Sequence, residues 1–309
     1  DFSELKQNFT KTIKNNKIKK EVHHWIQENL IPGSIDVNIM TKLDKANFKG
    51  KEKLSNEFND AHAALRGFAN SNLESSIVLS AGMNPRLYSY FQEFEDFFPN
   101  ENGYLKKKII LKVSDYRSAI IQGKFLAKKG LWVSEYRIES GLNCGGHAFA
   151  SDGFLMGPIL EEFKANKTNL QNDVSKILLA ALESKGRIIP SQELNLNITV
   201  QGGVGNSKEH EFLLNNYSVD SVGWGTPFLL VPEATTVDSS TMEVLKEAKE
   251  EDLYLSNVSP LGVPFNSVRG SSNELIKNAK ISANKPGSPC PKKFLALSFQ
   301  LLRTRHFCT

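Results

Sequence analysis

The chain has 309 residues, 40% hydrophobic and 23% charged, with 38 Lys plus Arg against 34 Asp plus Glu and a formal net charge of +4. That composition supports a full globular core and excludes the disordered, collagen-like and coiled-coil classes. So small and dispersed a positive excess argues against the clustered basic face of a nucleic-acid binder.

The cysteines, Cys144, Cys290 and Cys308, are too few and too scattered for a disulfide framework or a four-cysteine metal site. They read as reduced thiols of a cytoplasmic protein, and no metal centre is expected. No apolar run approaches the roughly 18 to 20 residues of a membrane span, and residues 1–20 are rich in Lys and Asn where a signal peptide needs an apolar stretch. No membrane partner is expected.

In chain order, Leu5, Phe9, Ile13, Ile18, Val22 and Ile26 recur at three-to-five-residue spacing, which predicts one or two amphipathic helices before the Pro32-Gly33 stop. Extended and helical runs then alternate. SIDVNIM (34–40) precedes a polar helix ending near Phe68, and SIVLSAG (76–82) precedes LYSYFQEFEDFF (87–98). KKIILKV (107–113) leads into a helix around SAIIQGKFLAKKG, LWVSEYRIES (131–140) runs into a glycine turn, and helices fill about 155–186. LNITVQGG (196–203), a helix over KEHEFLLNN and VDSVGWGT (219–226) complete the series. β segments separated by helical ones predict repeated βα units with a parallel sheet, in an α/β barrel or an open doubly wound arrangement. Residues 235–309 lose the alternation and become rich in Pro, Ser and Asn, so an irregular C-terminal extension is expected there, packed on the domain formed by residues 1–234.

Three glycine clusters fall at the C-terminal ends of β segments, where α/β proteins build their sites. Gly202-Gly203-Val204-Gly205 and Gly223-Trp224-Gly225-Thr226 end the last two. Glycines there let backbone N–H groups approach a phosphate, and paired glycine ends make a phosphate cup. Tight strand-to-helix turns need the same residues. The third cluster, Gly141-Leu142-Asn143-Cys144-Gly145-Gly146-His147, sets a histidine behind two glycines at a strand end, able to serve as base or proton donor near neutral pH. His147 could equally bond loop backbone. Cys144 has no second histidine placed to form a dyad and reads as a small packed residue.

GLNCGGH resembles the glycine–glycine–histidine strand end of the nitronate monooxygenase (2-nitropropane dioxygenase) family, flavin enzymes on a TIM-barrel scaffold. NITVQGGVG followed by VDSVGWGTPFLLVPEA resembles the two strand ends that grip the FMN phosphate in that family. IDVNIM and IILKVS resemble its strands beside the flavin ring. The resemblance covers about residues 30–235. It implies that Asn38 and Lys112 contact the flavin ring, that Gly202, Gly203, Gly225 and Thr226 hold the phosphate, that Gly145 and Gly146 line the cofactor, and that His147 is the catalytic base. The family carries Gln and Glu where this chain has Ser140 and Asn143, and a small alanine at Cys144.

The family's first two barrel strands have no counterpart before residue 30, and an eight-stranded barrel cannot close with six. The expected fold is therefore a TIM-type (β/α)8 barrel lacking its first two strands in this chain, the larger part of a longer polypeptide. The expected function is an FMN-dependent oxidoreductase, of the nitronate monooxygenase type, acting on a small molecule. Two alternatives stand beside it: a flavin enoyl reductase, in which His147 donates a proton, and a non-flavin barrel holding a phosphate ligand, with aldolase or isomerase chemistry or none.

Overall fold

The computed structural model describes residues 20–21, 24–25, 28–29, 33, 35–80, 82–139, 156–202, 204, 206–225, 237–256 and 265–287. The residues described between 20 and 29 are helical. The chain then forms β1 (Val37–Met40), a two-residue hairpin β2 (Phe48–Lys49) and β3 (Glu52–Lys53), α1 (Asp60–Ala69), β4 (Ser76–Ser80) and α2 (Pro85–Tyr90). After α2 come two 3₁₀ turns (Phe91–Glu93 and Glu95–Phe97), then β5 (Lys108–Val113), α3 (Tyr116–Ala127) and β6 (Val133–Glu139). The series continues with α4 (Met156–Ser184), β7 (Asn197–Gln201), α5 (Ser207–Tyr217) and β8 (Ser221–Gly223).

β1, β4, β5, β6, β7 and β8 form one six-stranded sheet in that order, and every pairing is parallel. These are the six segments expected from the sequence. The order runs without reversal, whereas a doubly wound sheet reverses at a switch point. Right-handed crossovers that always add a strand on the same side deliver the intervening helices to one face. The core agrees: Ile39, Ile77, Leu79, Ile109, Leu111, Val113, Tyr136, Ile138, Ile198 and Val200 share one cluster with Leu65, Phe68, Leu126, Phe163, Val174 and Leu178 from α1, α3 and α4. Among the described residues β1 and β8 have one sheet partner each, so the sheet is open and no closure into a barrel is seen.

Three βα connections end on side-chain caps. Asn84 Oδ1 accepts from Leu87 N at 3.2 Å, Asp115 Oδ1 from Ser118 N at 2.6 Å, and Asn206 Oδ1 from Glu209 N at 3.0 Å. Each cap satisfies an orphan donor of a first helical turn and starts its helix shortly after a strand ends. At the opposite end of the sheet, fully buried Lys107 donates to Phe68 O and Ser71 O at 2.8 Å and to Leu73 O at 3.1 Å. Burial pushes this ammonium below the usual lysine pKa, and the carbonyls closing α1 are what hold its charge.

The C-terminal part corrects one expectation. Its described residues are regular: α6 (Ser239–Glu247), the antiparallel hairpin β9 (Leu253–Ser256) with β10 (Phe265–Val268), and α7 (Ser272–Ser282). The polar residues that suggest loops are partly caps. Asp238 accepts from Thr241 N, Ser271 accepts from Glu274 N, and Glu274 reaches back to Gly270 N. The spacing is the Ser-x-x-Glu of a capping box, with the returning bond made to the residue before the N-cap. No helix among the described residues is long and apolar enough to cross a membrane.

Gly123, in the middle of α3, shows how tightly the helix layer sits. A Cβ there would overlap the Tyr136 hydroxyl and lie 3.2 Å from its Cζ. That hydroxyl is buried without a hydrogen-bond partner, and burial raises its pKa. Gly123→Ala should therefore destabilise the fold by about 1 to 3 kcal/mol, the usual overpacking range. Tyr136→Phe in the same background should recover most of the loss, since it removes the clashing atom and an unsatisfied donor together. Urea unfolding measures both; a Gly123→Ala variant as stable as the parent would refute this packing.

Candidate functional site

The strands alternate faces, so the residues between the core positions form a second face: Asn38, Ser80, Lys112, Glu135, Arg137, Glu139, Thr199 and Gln201. Parallel strands covered on both faces normally read as continuous apolar runs. Apart from the buried Val78 and Ile110, this face is polar yet largely withdrawn from water, with Ser80 at 3% and Thr199 at 7% exposure. Charges in such a place require partners.

They have them. Midway along the face, Arg137 Nε donates to Glu135 Oε1 at 2.7 Å and its Nη2 to Asp36 Oδ2 at 3.3 Å. Thr199 Oγ1 donates to the same Glu135 oxygen at 2.5 Å. Burial works against the Arg137 charge, but the hydrogen bond and field of Glu135, followed by those of Asp36, outweigh it and raise its pKa. Nearer the C-terminal ends, Lys112 Nζ lies 2.6 Å from Glu139 Oε2 across the β5–β6 pair. Ser80 Oγ donates to Asn38 Oδ1 at 2.7 Å, leaving the Asn38 amide nitrogen free of that contact.

β7 and β8 end side by side. Gly202 N donates to Gly223 O at 3.4 Å, so the two glycine-bearing ends adjoin. Gly202 has φ +83°, a left-handed conformation that other residues rarely adopt. Among the described residues a Cβ on Gly225 would meet nothing within 4 Å. Between Gly223 and Gly225, half-buried Trp224 donates from Nε1 to His210 Nδ1 on α5 at 2.8 Å.

Of the residues expected from the sequence, Asn38, Lys112, Gly202 and Gly225 therefore lie on the polar face or at strand ends of one sheet. Gly145, Gly146, His147, Gly203 and Thr226 lie outside the described residues, as does Cys144. Gly202 spends its N–H on the neighbouring strand, so an anion at this end would draw on donors further along the loops. Sequence reasoning missed Glu139, Arg137 and Glu135. The signal was in LWVSEYRIES, where Glu135, Arg137 and Glu139 stand at period two in a strand of a βα series. Among the described residues no group of three His, Cys, Asp or Glu could hold a metal ion. A shallow concavity of about 450 Å³ lies along α5 between Lys208, Glu211, Phe212, Asn215 and Asn216, a set from one helix with none of the polar-face residues.

The Lys112 and Glu139 side chains are 23% and 13% exposed, so removing either partner should cost more than at the surface and less than in a sealed interior. Lys112→Met is expected to lose about 1 to 3 kcal/mol. Adding Glu139→Gln should return part of that loss, because the carboxylate is no longer charged and unpaired. A denaturation double-mutant cycle measures the coupling; strictly additive losses would show that the pair does not interact.

Neither a scan against protein-family models nor a search of curated proteins gives a match. Among solved structures the chain is similar to the enoyl reductase domain of MlnA from the macrolactin biosynthesis cluster of Bacillus amyloliquefaciens, at 12% identity and a TM-score of 0.46. The overlap covers 97% of this chain and 62% of that one, so the chain spans less than two thirds of its length. A likeness of this degree supports no assignment of function.

Proposed function

We propose that the chain forms most of a (β/α)8-type barrel and is an FMN-dependent oxidoreductase, of the nitronate monooxygenase type, acting on a small molecule at the C-terminal ends of its strands. One observation carries the reading. The parallel order runs unreversed through six strands and brings the glycine ends of the last two together beside a polar inner face. An unreversed parallel order with helices on one side is what a sheet curling toward a barrel requires.

The residues present fit such a cofactor. Among the described residues nothing crowds Gly225, which suits the close approach of a phosphate; by the resemblance Gly203 and Thr226 would supply donors to it, while Gly202, its N–H engaged by Gly223 O, would shape the turn. By the resemblance, Asn38 and Lys112 would contact the ring and Gly145 and Gly146 would line the cofactor. FMN, when bound, supplies the electron-accepting chemistry. The chain's own contributions are orientation and proton transfer. His147 takes a proton from the substrate carbon next to an electron-withdrawing group. Lys112 supplies positive charge where negative charge develops, with Glu139 holding its ammonium in place and moderating its field.

The test is the visible spectrum of the purified protein and its titration with FMN. A flavin band that saturates with added FMN is expected; a protein that binds none would end the reading and leave the non-flavin phosphate barrel. Gly225→Val is a suitable probe, since a side chain there meets no atom of the described residues within 4 Å. It should fold normally and weaken FMN binding by about tenfold or more, equivalent to losing one charge-assisted hydrogen bond. His147→Ala should keep FMN and lower turnover by about 10²-fold or more. Aerobic turnover without added nicotinamide separates the nitronate monooxygenase type from an enoyl reductase, which needs the nicotinamide donor.

A further inference from the structure

Arg137 makes a contact that a flat sheet does not permit. Its Nη2 donates to Asp36 Oδ2 at 3.3 Å, yet Arg137 stands on β6 and Asp36 just before β1, with β4 and β5 between those strands. Three strand spacings separate the two residues by about 14 Å across the sheet. The register adds a second offset. Arg137 pairs with Lys112, Leu111 with Leu79 and Ser80 with Met40, so Arg137 is level with Met40, four residues beyond Asp36. Four residues are about 13 Å along a strand, so in a flat sheet the two Cα atoms would lie about 19 Å apart. An extended arginine, an aspartate and the bond between them span about 14 Å at most. Arg137 is also held to its own strand by the Nε bond to Glu135. The sheet is therefore curled, with the polar face concave and the apolar helix layer outside.

We infer that Arg137 is a positioning residue: with Asp36 it forms a spoke across the concave face, fixes the curvature of the sheet, and so brings Asn38 opposite the Lys112–Glu139 pair. Asn38 lies two residues beyond Asp36, and Glu139 two beyond Arg137, each on the same face as the residue before it in that face. One layer nearer the C-terminal ends, the spoke is thus followed by two walls, the Asn38 amide on one side and the Lys112–Glu139 ion pair on the other. The Arg137 and Asp36 side chains are 19% and 20% exposed, so the spoke is partly shielded from the water and salt that weaken surface pairs. Walls of this kind suit a small polar ligand that accepts hydrogen bonds. That the ligand is FMN rests on the reading proposed above.

Asp36→Ala removes the spoke while Arg137 keeps its bond to Glu135, so no buried cation loses its only partner. Asp36→Asn keeps an oxygen to which Arg137 can donate. Arg137→Lys keeps the charge but cannot fork between Glu135 and Asp36. Nitroxide labels on exposed Ala64 of α1 and Glu161 of α4, the helices that follow β1 and β6, report the curvature by double electron–electron resonance in the full chain with its cysteines replaced by serine. Asp36→Ala should shift and broaden the distance distribution and lower FMN affinity by about five- to tenfold, the scale of one hydrogen bond. Arg137→Lys should move the distribution the same way, whereas Asp36→Asn should match the parent and keep FMN affinity within about twofold. Thermal unfolding confirms that each variant is folded. Distributions in Asp36→Ala and Arg137→Lys identical to the parent's overturn the inference, and so does a shifted distribution with unchanged affinity in a chain that binds FMN. A parent with no affinity for FMN refutes the flavin reading, and the label distances then decide the spoke by themselves.

Discussion

The constraint on which this structure turns is that one face of a buried parallel sheet carries charge. Withdrawing an ion from water costs several kcal/mol even after relaxation, so each charge on that face must meet its opposite within hydrogen-bond reach. Arg137 answers with Glu135 and Asp36, Lys112 with Glu139, and Thr199 uses part of the remaining capacity of Glu135. The contacts to β5 and β7 tie β6 to strands that the backbone ladder also joins, while Asp36 links β6 to the segment before β1, which is not its neighbour in the sheet. A one-residue slip of any strand would turn its charged side chains toward the apolar helix layer, so the polar face enforces register as firmly as the core does.

The same constraint explains where chemistry can occur. Midway along the strands the charges satisfy one another. At the C-terminal ends, the Lys112–Glu139 pair retains partial exposure and the glycines of β7 and β8 take the place of side chains. Helix caps at Asn84, Asp115 and Asn206 start α2, α3 and α5 on the same side, leaving first-turn backbone donors near that rim.

Much of this was legible in the chain. The six sheet strands lie within the runs read as extended, because β-branched clusters such as Ile109-Ile110 and Ile77-Val78 leave little choice of conformation. The helical run expected at about 155–186 and the glycine ends were equally plain. The C-terminal elements were not, because Ser and Asp serve caps and turns alike: Asp238 and Ser271 begin helices in a stretch whose composition suggests a loop. The hairpin of β2 and β3 was invisible for another reason, since two-residue strands have no period to detect.

What the sequence determined by itself is the local conformation of each segment and the positions where a backbone is free of Cβ, since both follow from the chemistry of neighbouring residues. Tertiary structure decided the rest. Only packing sets the order in which strands adjoin, and order is what brings Lys112 to Glu139, Gly202 to Gly223 and Trp224 to His210. Lys112 and Glu139 are far apart along the chain and neither carries a local signature of the other. Their meeting depends on a crossover helix of the right hand and length, and on burial that makes an unpaired charge too costly to keep.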